Sequence, residues 1–534
     1  ARGARLREHR APGRRAGLRP PGADDRRQRQ GAHPLGWRDR QAAPRDGPAR
    51  ARRGRPGGAV ALRAPRQAEW PKADFIVGNP PFIGNKRMRV ALGDGYADAL
   101  RAAWPEVPES ADFVMYWWHK AAEVVRTGQA QRFGLITTNS LTMIFNRRVI
   151  EAHQSATPPL SLDFAIPDHP WVDSADGAAV RIAMSVGSIG QHDGRLLQVT
   201  GETESDNGEL TITVATKIGS IHPDLKIGAN LTSAKKLRAN ERLSSMGMMR
   251  AGNGFVVTES RAVAMGLGQA QDLDMHLRPF RNGRDLTDRP RGHWLIDLYG
   301  LTAEQVMQKF PAVYQHVLEN VKPERDLNRR DRLKQQWWIF GEPRQGLRQA
   351  LAGLTRYIAT VETAKHRVFQ FLDPKVLPDH KLVAIGIEDA LFLGILSSQI
   401  HVLWALASGG TLEDRPVYSK SRCFDPFPFP AEDTGLTPEI IERIRQLAEQ
   451  LDAHRKAQQA AHPALTLTGM YNVLDNLRSG EALNAKDKTV HEEGLVSILR
   501  TLHDELDTAV LQAYGWSDLG PVPWIDEAAR AAWT

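Results

Sequence analysis

The sequence is poor in cysteine: Cys423 is the only one in 534 residues. Disulfide scaffolds and cysteine-rich zinc sites are therefore excluded, and a reducing, cytoplasmic setting is expected. No run of about 18 apolar residues occurs, so neither a membrane-spanning helix nor a membrane partner is expected. The arginine-rich N-terminus has no apolar stretch and does not read as a secretory signal. Residues 1–67 also lack Ile, Phe, Tyr, Met and Lys. Without such residues no face of period 3.6 or 2 can be drawn there.

Charge is unevenly placed. The net charge of +8 suggests a nucleic-acid partner, but residues 1–67 alone hold 19 Arg against five acids. That segment carries +14, and the remaining 467 residues carry −6. Net charge thus gives the main body no support as a DNA binder. Three readings of the Arg/Ala/Gly/Pro-rich segment stand side by side: GC-rich DNA translated in a wrong frame, a disordered arm, or a basic arm that grips phosphates. The first is the expectation, so 1–67 is taken as disordered or non-native.

Ordered patterning starts near Ala68. Phe75-Ile76-Val77 reads as a buried parallel strand ending at Gly78. A polar loop is expected to about Glu109. A helix from Ala111 to about Thr127 follows, capped by Ser110 and stopped by Gly128. Phe113, Tyr116, Trp117, Ala121 and Val124 mark its apolar face, with His119 and Lys120 on the polar side. Phe133–Thr137 reads as the next strand. Strand, helix, strand in this order predicts an α/β, doubly wound sheet. Strands are also expected near 162–165 and 180–186, with a turn at 201–208. A mixed region covers 230–430. A helical C-terminal region of 431–534 opens with Thr437 as cap, Pro438 at the first position and a stripe of Ile440, Ile444, Leu447 and Leu451. The expected domains are 1–67, 68–229, 230–430 and 431–534.

Chemistry concentrates in Asn79-Pro80-Pro81-Phe82, directly after the first strand. Ligands of open α/β sheets bind at the carboxyl ends of strands. An amine conjugated to a ring is a poor nucleophile because its lone pair is delocalised. Two acceptors on its hydrogens pull the nitrogen toward sp3 geometry. The Asn79 side-chain oxygen and the Pro80 carbonyl can serve, while the prolines fix the turn and contribute no N–H. Phe82 can stack on a base taken out of the helix. The competing reading is a proline-rich turn with Phe82 in a core.

ADFIVGNPPF, then SADFVMYWWHKAAEVV, then RFGLITTNS, resembles the gamma-class DNA adenine-N6 methyltransferases, above all the large bacterial enzymes of restriction–modification and phage defence. The resemblance implies site-specific transfer of a methyl group from S-adenosylmethionine to adenine N6 in flipped-out duplex DNA. It implies no metal for that step and makes restriction or defence subunits candidate partners. LDFAIPDHPWVDSADGAAV looks like the segment that closes over the flipped base, with Trp171 as its aromatic; core packing is the alternative. FRNGRDL, VKPERD, QQWWIFGEPR, RYIATVETAKHRVF, SSQIHVLWA and FDPFPFP look like landmarks of a target-recognition domain over 230–430. The first half of the methyltransferase sheet is expected to be missing: the family's Gly-rich cofactor loop before NPPF, and the acidic residue after it, are not recognisable here. The cofactor-binding residues therefore remain unassigned.

Other readings carry less. Cys423 is not preceded by proline, which speaks against cytosine-C5 chemistry. Protein-glutamine and RNA-adenine methylation present related amine problems. Arg325, Arg329, Arg330 and Arg332 are candidate phosphate contacts, against a plain solvated helix. Trp337-Trp338 reads as core before base stacking. A catalytically degenerate remnant, or a non-catalytic DNA-specificity module, is the rival from another class.

Overall fold

The computed structural model describes residues 65–171, 180–204, 210–231, 234–412 and 415–533. The readings of residues 1–64, and of the centre of the 201–208 turn, lie outside these. Contacts divide the chain into two units, 1–228 and 229–534.

The first unit is built on one mixed sheet. Its strands are β1 (Phe75–Gly78), β2 (Arg132–Thr138), β3 (Leu160–Trp171), β4 (Val180–Ile189), β5 (Gly194–Glu204) and β6 (Leu210–Gly219), in spatial order β1-β2-β4-β3-β5-β6. β1 and β2 run parallel, as the strand–helix–strand pattern predicts. β4 is antiparallel to both β2 and β3, so one strand in the middle of the sheet runs against its two neighbours. β3 and β5 are parallel, and β5 and β6 form a long antiparallel ribbon.

The loop expected to run to Glu109 contains two helices, α1 (Asn85–Leu92) and α2 (Asp94–Ala103). Their buried residues are few — Met88 in one; Ala97, Leu100 and Ala103 in the other — and too sparse for a clear period. Helix α3 (Val114–Arg126) starts three residues later than expected, and Ser110 does not cap it. The reason lies in Asp112, whose side chain is committed to other elements. Gly128, at φ 73°, ends the helix as expected. Helix α4 is Ile144–Gln154. The core joins Trp104, Phe113, Tyr116, Trp118, Phe133, Leu135, Ile150 and Leu162.

His119 corrects the helix reading: it is buried, not on a polar side. Its Nδ1 lies 2.9 Å from Nε2 of buried His153, and its ring packs edge-on to Trp104. Arg126 can only donate, so its 3.2 Å bond to His153 Nδ1 leaves the His153 proton on Nε2, aimed at His119. Glu123 Oε1 stands 3.5 Å from the far nitrogen of His119. Burial, with His119 and Arg126 adding to it, pushes the His153 pKa down to about 3. His153 is therefore neutral in the folded chain, whereas an unfolded histidine takes up a proton near pH 6.5. Below that pH the unfolded state binds more protons, and stability falls by up to about 1.4 kcal/mol per pH unit until about pH 3. The Glu123 carboxyl, held below its usual range by the neighbouring His119, acts in the same direction. Urea midpoints from pH 7 to 4.5 should therefore fall steadily, and His153→Gln should lose part of that slope. Identical slopes in the two proteins would contradict the assignment.

The second unit holds two four-stranded sheets. One contains β8 (Val256–Thr258), β9 (Leu277–Arg281), β10 (His293–Ile296) and β13 (Leu377–Pro378), in order β13-β9-β10-β8. The other contains β7 (Ser244–Met246), β11 (Tyr357–Val361), β12 (Phe369–Leu372) and β14 (Leu382–Ile385), in order β12-β11-β14-β7. Every residue of β11 and β14 is buried. The helix Pro438–Ala461 forms as expected, with Thr437 accepting from the Ile440 amide and Ile444, Leu447 and Leu451 fully buried. The C-terminal helices share a core with Leu391, Ile395 and Phe427, so they pack against the segment that precedes them. Gly394 allows this approach, since a Cβ there would lie 2.5 Å from Ile444 Cγ2. Among the described residues no single helix is long and apolar enough to cross a membrane.

Candidate active site

The chain leaves β1 at Gly78 and turns outward. Pro80 is buried, whereas Asn79, Pro81 and Phe82 are exposed, Phe82 to 36%. Phe82 is thus not a core residue; Ile83 fills that place, packed against the core. Among the described residues no protein partner holds the Asn79 side chain. Its oxygen is free to accept from a ligand.

What holds the loop is a polar cluster. The Ile83 amide donates to Pro81 O (3.1 Å), and Ile83 O accepts from the Phe113 amide (2.9 Å). Asp112 Oδ1 accepts from the Asn85 amide at 2.8 Å. Its Oδ2 accepts from Ser140 Oγ (2.7 Å) and Asn146 Nδ2 (2.8 Å). The Asp112 amide donates to Asn146 Oδ1 at 2.8 Å. One carboxylate thus ties the end of the Asn79 loop to the turns that follow β2 and open α4. Bonds to a charged acceptor are worth about 1.5–3 kcal/mol each, less when one is replaced by water. Asp112→Ala is expected to destabilise the first unit by about 2–4 kcal/mol. A denaturant titration reads this directly, and a loss below about 0.5 kcal/mol would remove the clamp from the account.

A second cluster fixes the hairpin of β3 and β4. Asn139, just after β2, bonds Asp168 twice: Nδ2 to Oδ1 at 2.9 Å, and Oδ1 from the Asp168 amide at 3.0 Å. Arg181 donates to Asp168 Oδ1 and to Glu202 Oε1, each at 2.7 Å. Asp168 has φ 54°, inside an irregularity of β3 between Ile166 and His169. An Asp tolerates this region better than most side chains.

Register places Trp171 relative to the loop. Gly78 pairs with Leu135, so Asn79 falls in the row of Ile136, which pairs with Met184. Trp171 pairs with Val180, four residues nearer the start of β4. At about 3.3 Å per residue, half-buried Trp171 stands ~13 Å beyond the Asn79 row, three strands across. The fold thus brings Asn79, Phe82 and Trp171 to one end of the sheet.

In the second unit, a cavity of about 830 Å³ is lined by Arg284, Lys365, Lys381 and the buried Asp379, among others. Its cations have partners: Lys365 bonds Asn472 (2.7 Å), Lys381 bonds Glu362 (2.8 Å), and Arg284 lies 3.8 Å from Asp288. Arg325 requires a correction: it is fully buried, donating to Arg250 O (2.8 Å) and Ile339 O (2.9 Å). A side chain so placed cannot reach a phosphate. Arg332 is likewise bound to Gly341 O. Arg329 and Arg330 are exposed. Trp337 is core, as expected, and Trp338 donates to Leu301 O. Cys423 is fully buried and its thiol pKa is pushed up by that burial, which fits no nucleophile.

No role for Asp112, Ser140, Asn146, Asn139, Asp168 or Arg181 was legible from sequence alone. For Asp112, Asn139 and Ser140 the one signal was their place in the polar element ends SADF and TTNS; Asn146, Asp168 and Arg181 carried none.

A mixed α/β sheet with this strand-end loop, followed by a separate unit of two small sheets and a helical region, is the architecture of a methyltransferase domain joined to a recognition domain. The chain carries two domains of the MmeI type: residues 36–197 match the MmeI DNA-methyltransferase domain, and residues 231–431 match the MmeI target recognition domain. Its fold is similar to that of the type IIL restriction-modification enzyme MmeI solved in complex with DNA, with a TM-score of 0.62 and 22% identity. That likeness covers 83% of this chain and 54% of MmeI, so the chain spans about half the length of this relative. The type IIG restriction endonuclease BpuSI aligns at a TM-score of 0.26 and 12% identity, over 83% of this chain and 54% of that one. A modification subunit of a putative type I restriction enzyme from Vibrio vulnificus aligns at 0.20 and 14%, over 29% and 38%. Neither of these two weak alignments adds to the assignment. No curated protein matches the sequence.

Proposed function

We propose that the chain is the catalytic and recognition part of a site-specific DNA methyltransferase acting on adenine N6 in duplex DNA, within a cytoplasmic restriction–modification or defence system. The observation that carries this is the Asn79 loop: an exposed amide oxygen with no partner among the described residues and an exposed Phe82 at the end of a parallel strand, clamped from behind by Asp112. Asn79 Oδ1 and Pro80 O accept the two hydrogens of the adenine amine and orient its lone pair outward. Phe82 stacks on the extruded base, and Trp171 contacts it from the hairpin. The Pro80 carbonyl is fixed by the backbone turn, and acceptors aimed at the nitrogen where charge develops stabilise it electrostatically.

S-adenosylmethionine would supply the methyl group. The described residues provide the amine side only. Among them β1 is the edge of the sheet, its Phe75 and Val77 are 58% and 85% exposed, and no glycine-rich cradle stands beside it. They do not by themselves assemble a site for the donor.

Single-molecule sequencing of DNA from an expressing host tests the reading. A modified adenine in one short motif is expected, and modified cytosine alone would overturn it. Duplex binding with no modified base would favour the non-catalytic recognition module.

A further inference from the structure

Of four arginines close together in the sequence, the fold buries Arg325 and leaves Arg329, Arg330 and Arg332 exposed, with Arg332 tied back to the Gly341 carbonyl. Arg325 sits at the end of the short helix Lys322–Asp326, and Arg332 lies in the next, Asp331–Gln335. Both donate to backbone carbonyls behind the turn, Arg325 to Arg250 and Ile339, Arg332 to Gly341. Within the turn, Asn328 Oδ1 accepts from the Arg330 amide at 3.0 Å, and the Asn328 amide donates to Arg325 O at 3.0 Å. The turn is therefore held from below and braced within. It presents Leu327, 88% exposed, with exposed Arg329 and Arg330.

The charges around it are not balanced. Asp326 is paired with Lys322 (2.7 Å) and Asp331 with Lys334 (3.7 Å). Among the described residues Arg329 and Arg330 have no ion pair and no side-chain hydrogen bond. The cations of the 830 Å³ cavity, by contrast, already have protein partners. Two free guanidinium groups beside one exposed aliphatic side chain, on a stiff support, match the outer surface of a duplex: anionic phosphates flanking a less polar sugar–base surface.

We propose that the 327–330 turn is a DNA-contacting element of the recognition unit, with Arg329 and Arg330 on phosphates and Leu327 against the sugar–base surface between them. This rests on the reading of the chain as a DNA-binding enzyme. Each phosphate contact contributes about 0.9 to the slope of log K against log salt. In the full chain, the Arg329→Ala/Arg330→Ala double variant should lower that slope by about 1.8, measured by fluorescence anisotropy on a labelled duplex carrying the motif. Leu327→Ala should weaken binding about five- to tenfold at one salt concentration with the slope unchanged, because apolar contacts release no counterions. All three side chains are solvent-facing, so unchanged urea midpoints should accompany these effects. A wild-type slope in the double variant overturns the proposal, and an unchanged affinity for Leu327→Ala overturns the leucine contact. Failure of the wild-type chain to bind any duplex would instead remove the DNA reading on which the proposal stands.

Discussion

Asn79→Ala is expected to lower methyl transfer about 100- to 1,000-fold, the usual cost of removing one preorganised hydrogen bond to a reacting centre. The effect should fall on kcat. Asn79 is exposed and braces nothing among the described residues, so neither the urea midpoint nor the affinity for duplex DNA should move appreciably. Asp112→Ala offers the contrast. Its carboxylate bonds three donors in three places, so its loss should weaken the fold and activity together. Separating the two patterns assigns one residue to chemistry and the other to support. Near-normal turnover with alanine at 79 would show that the amine is held by other groups.

Exchanging residues 230–430 for the matching segment of a relative is expected to replace the methylated motif outright while leaving the methylated atom the same. Sequence is read at base edges by side chains placed in a groove, a task separate from methyl transfer. The two small sheets lie within this segment, and one of their cores also takes in Ala448 from the helix beyond it. The exchange has a structural condition. Arg356 pairs with Glu449, and Asp389 pairs with Arg445 at 2.6 Å. Arg455, fully buried, donates to Phe369 O at 2.9 Å, and Asp452 accepts from the Phe371 amide. A donor that lacks Arg356 or Asp389 should yield a less stable chimera. Sequencing the host DNA reads the outcome, and the original motif persisting in a folded chimera would place specificity elsewhere.

What could be read from the sequence follows from physical reach. Phe75–Val77 announced a strand because its apolar residues are contiguous, and the Asn79 loop stood out because few folds need that string at a strand's end. The helix Pro438–Ala461 was legible down to its cap, since cap, proline and stripe are all local. The failures were tertiary. Asp112 displaced the start of α3 because a carboxylate bonded to Ser140 and Asn146 cannot be foreseen from neighbouring residues. His119 reads as polar until its partner, 34 positions away, satisfies it. Arg325 looked like a phosphate contact because charge density is visible in sequence and direction is not; only the carbonyls of Arg250 and Ile339 show that it points inward. The reversal at β4 was equally hidden, because antiparallel and parallel buried strands share the same apolar composition.

The central claim is that the Asn79 loop presents an adenine amine for methylation. The most direct test is to incubate the protein with a duplex containing its motif and methyl-labelled S-adenosylmethionine, then to separate the nucleosides by mass spectrometry. Label is expected in N6-methyladenine with the wild-type chain, with a loss of about two to three orders of magnitude for Asn79→Ala. Label in a cytosine product, or undiminished label with Asn79→Ala, would contradict it.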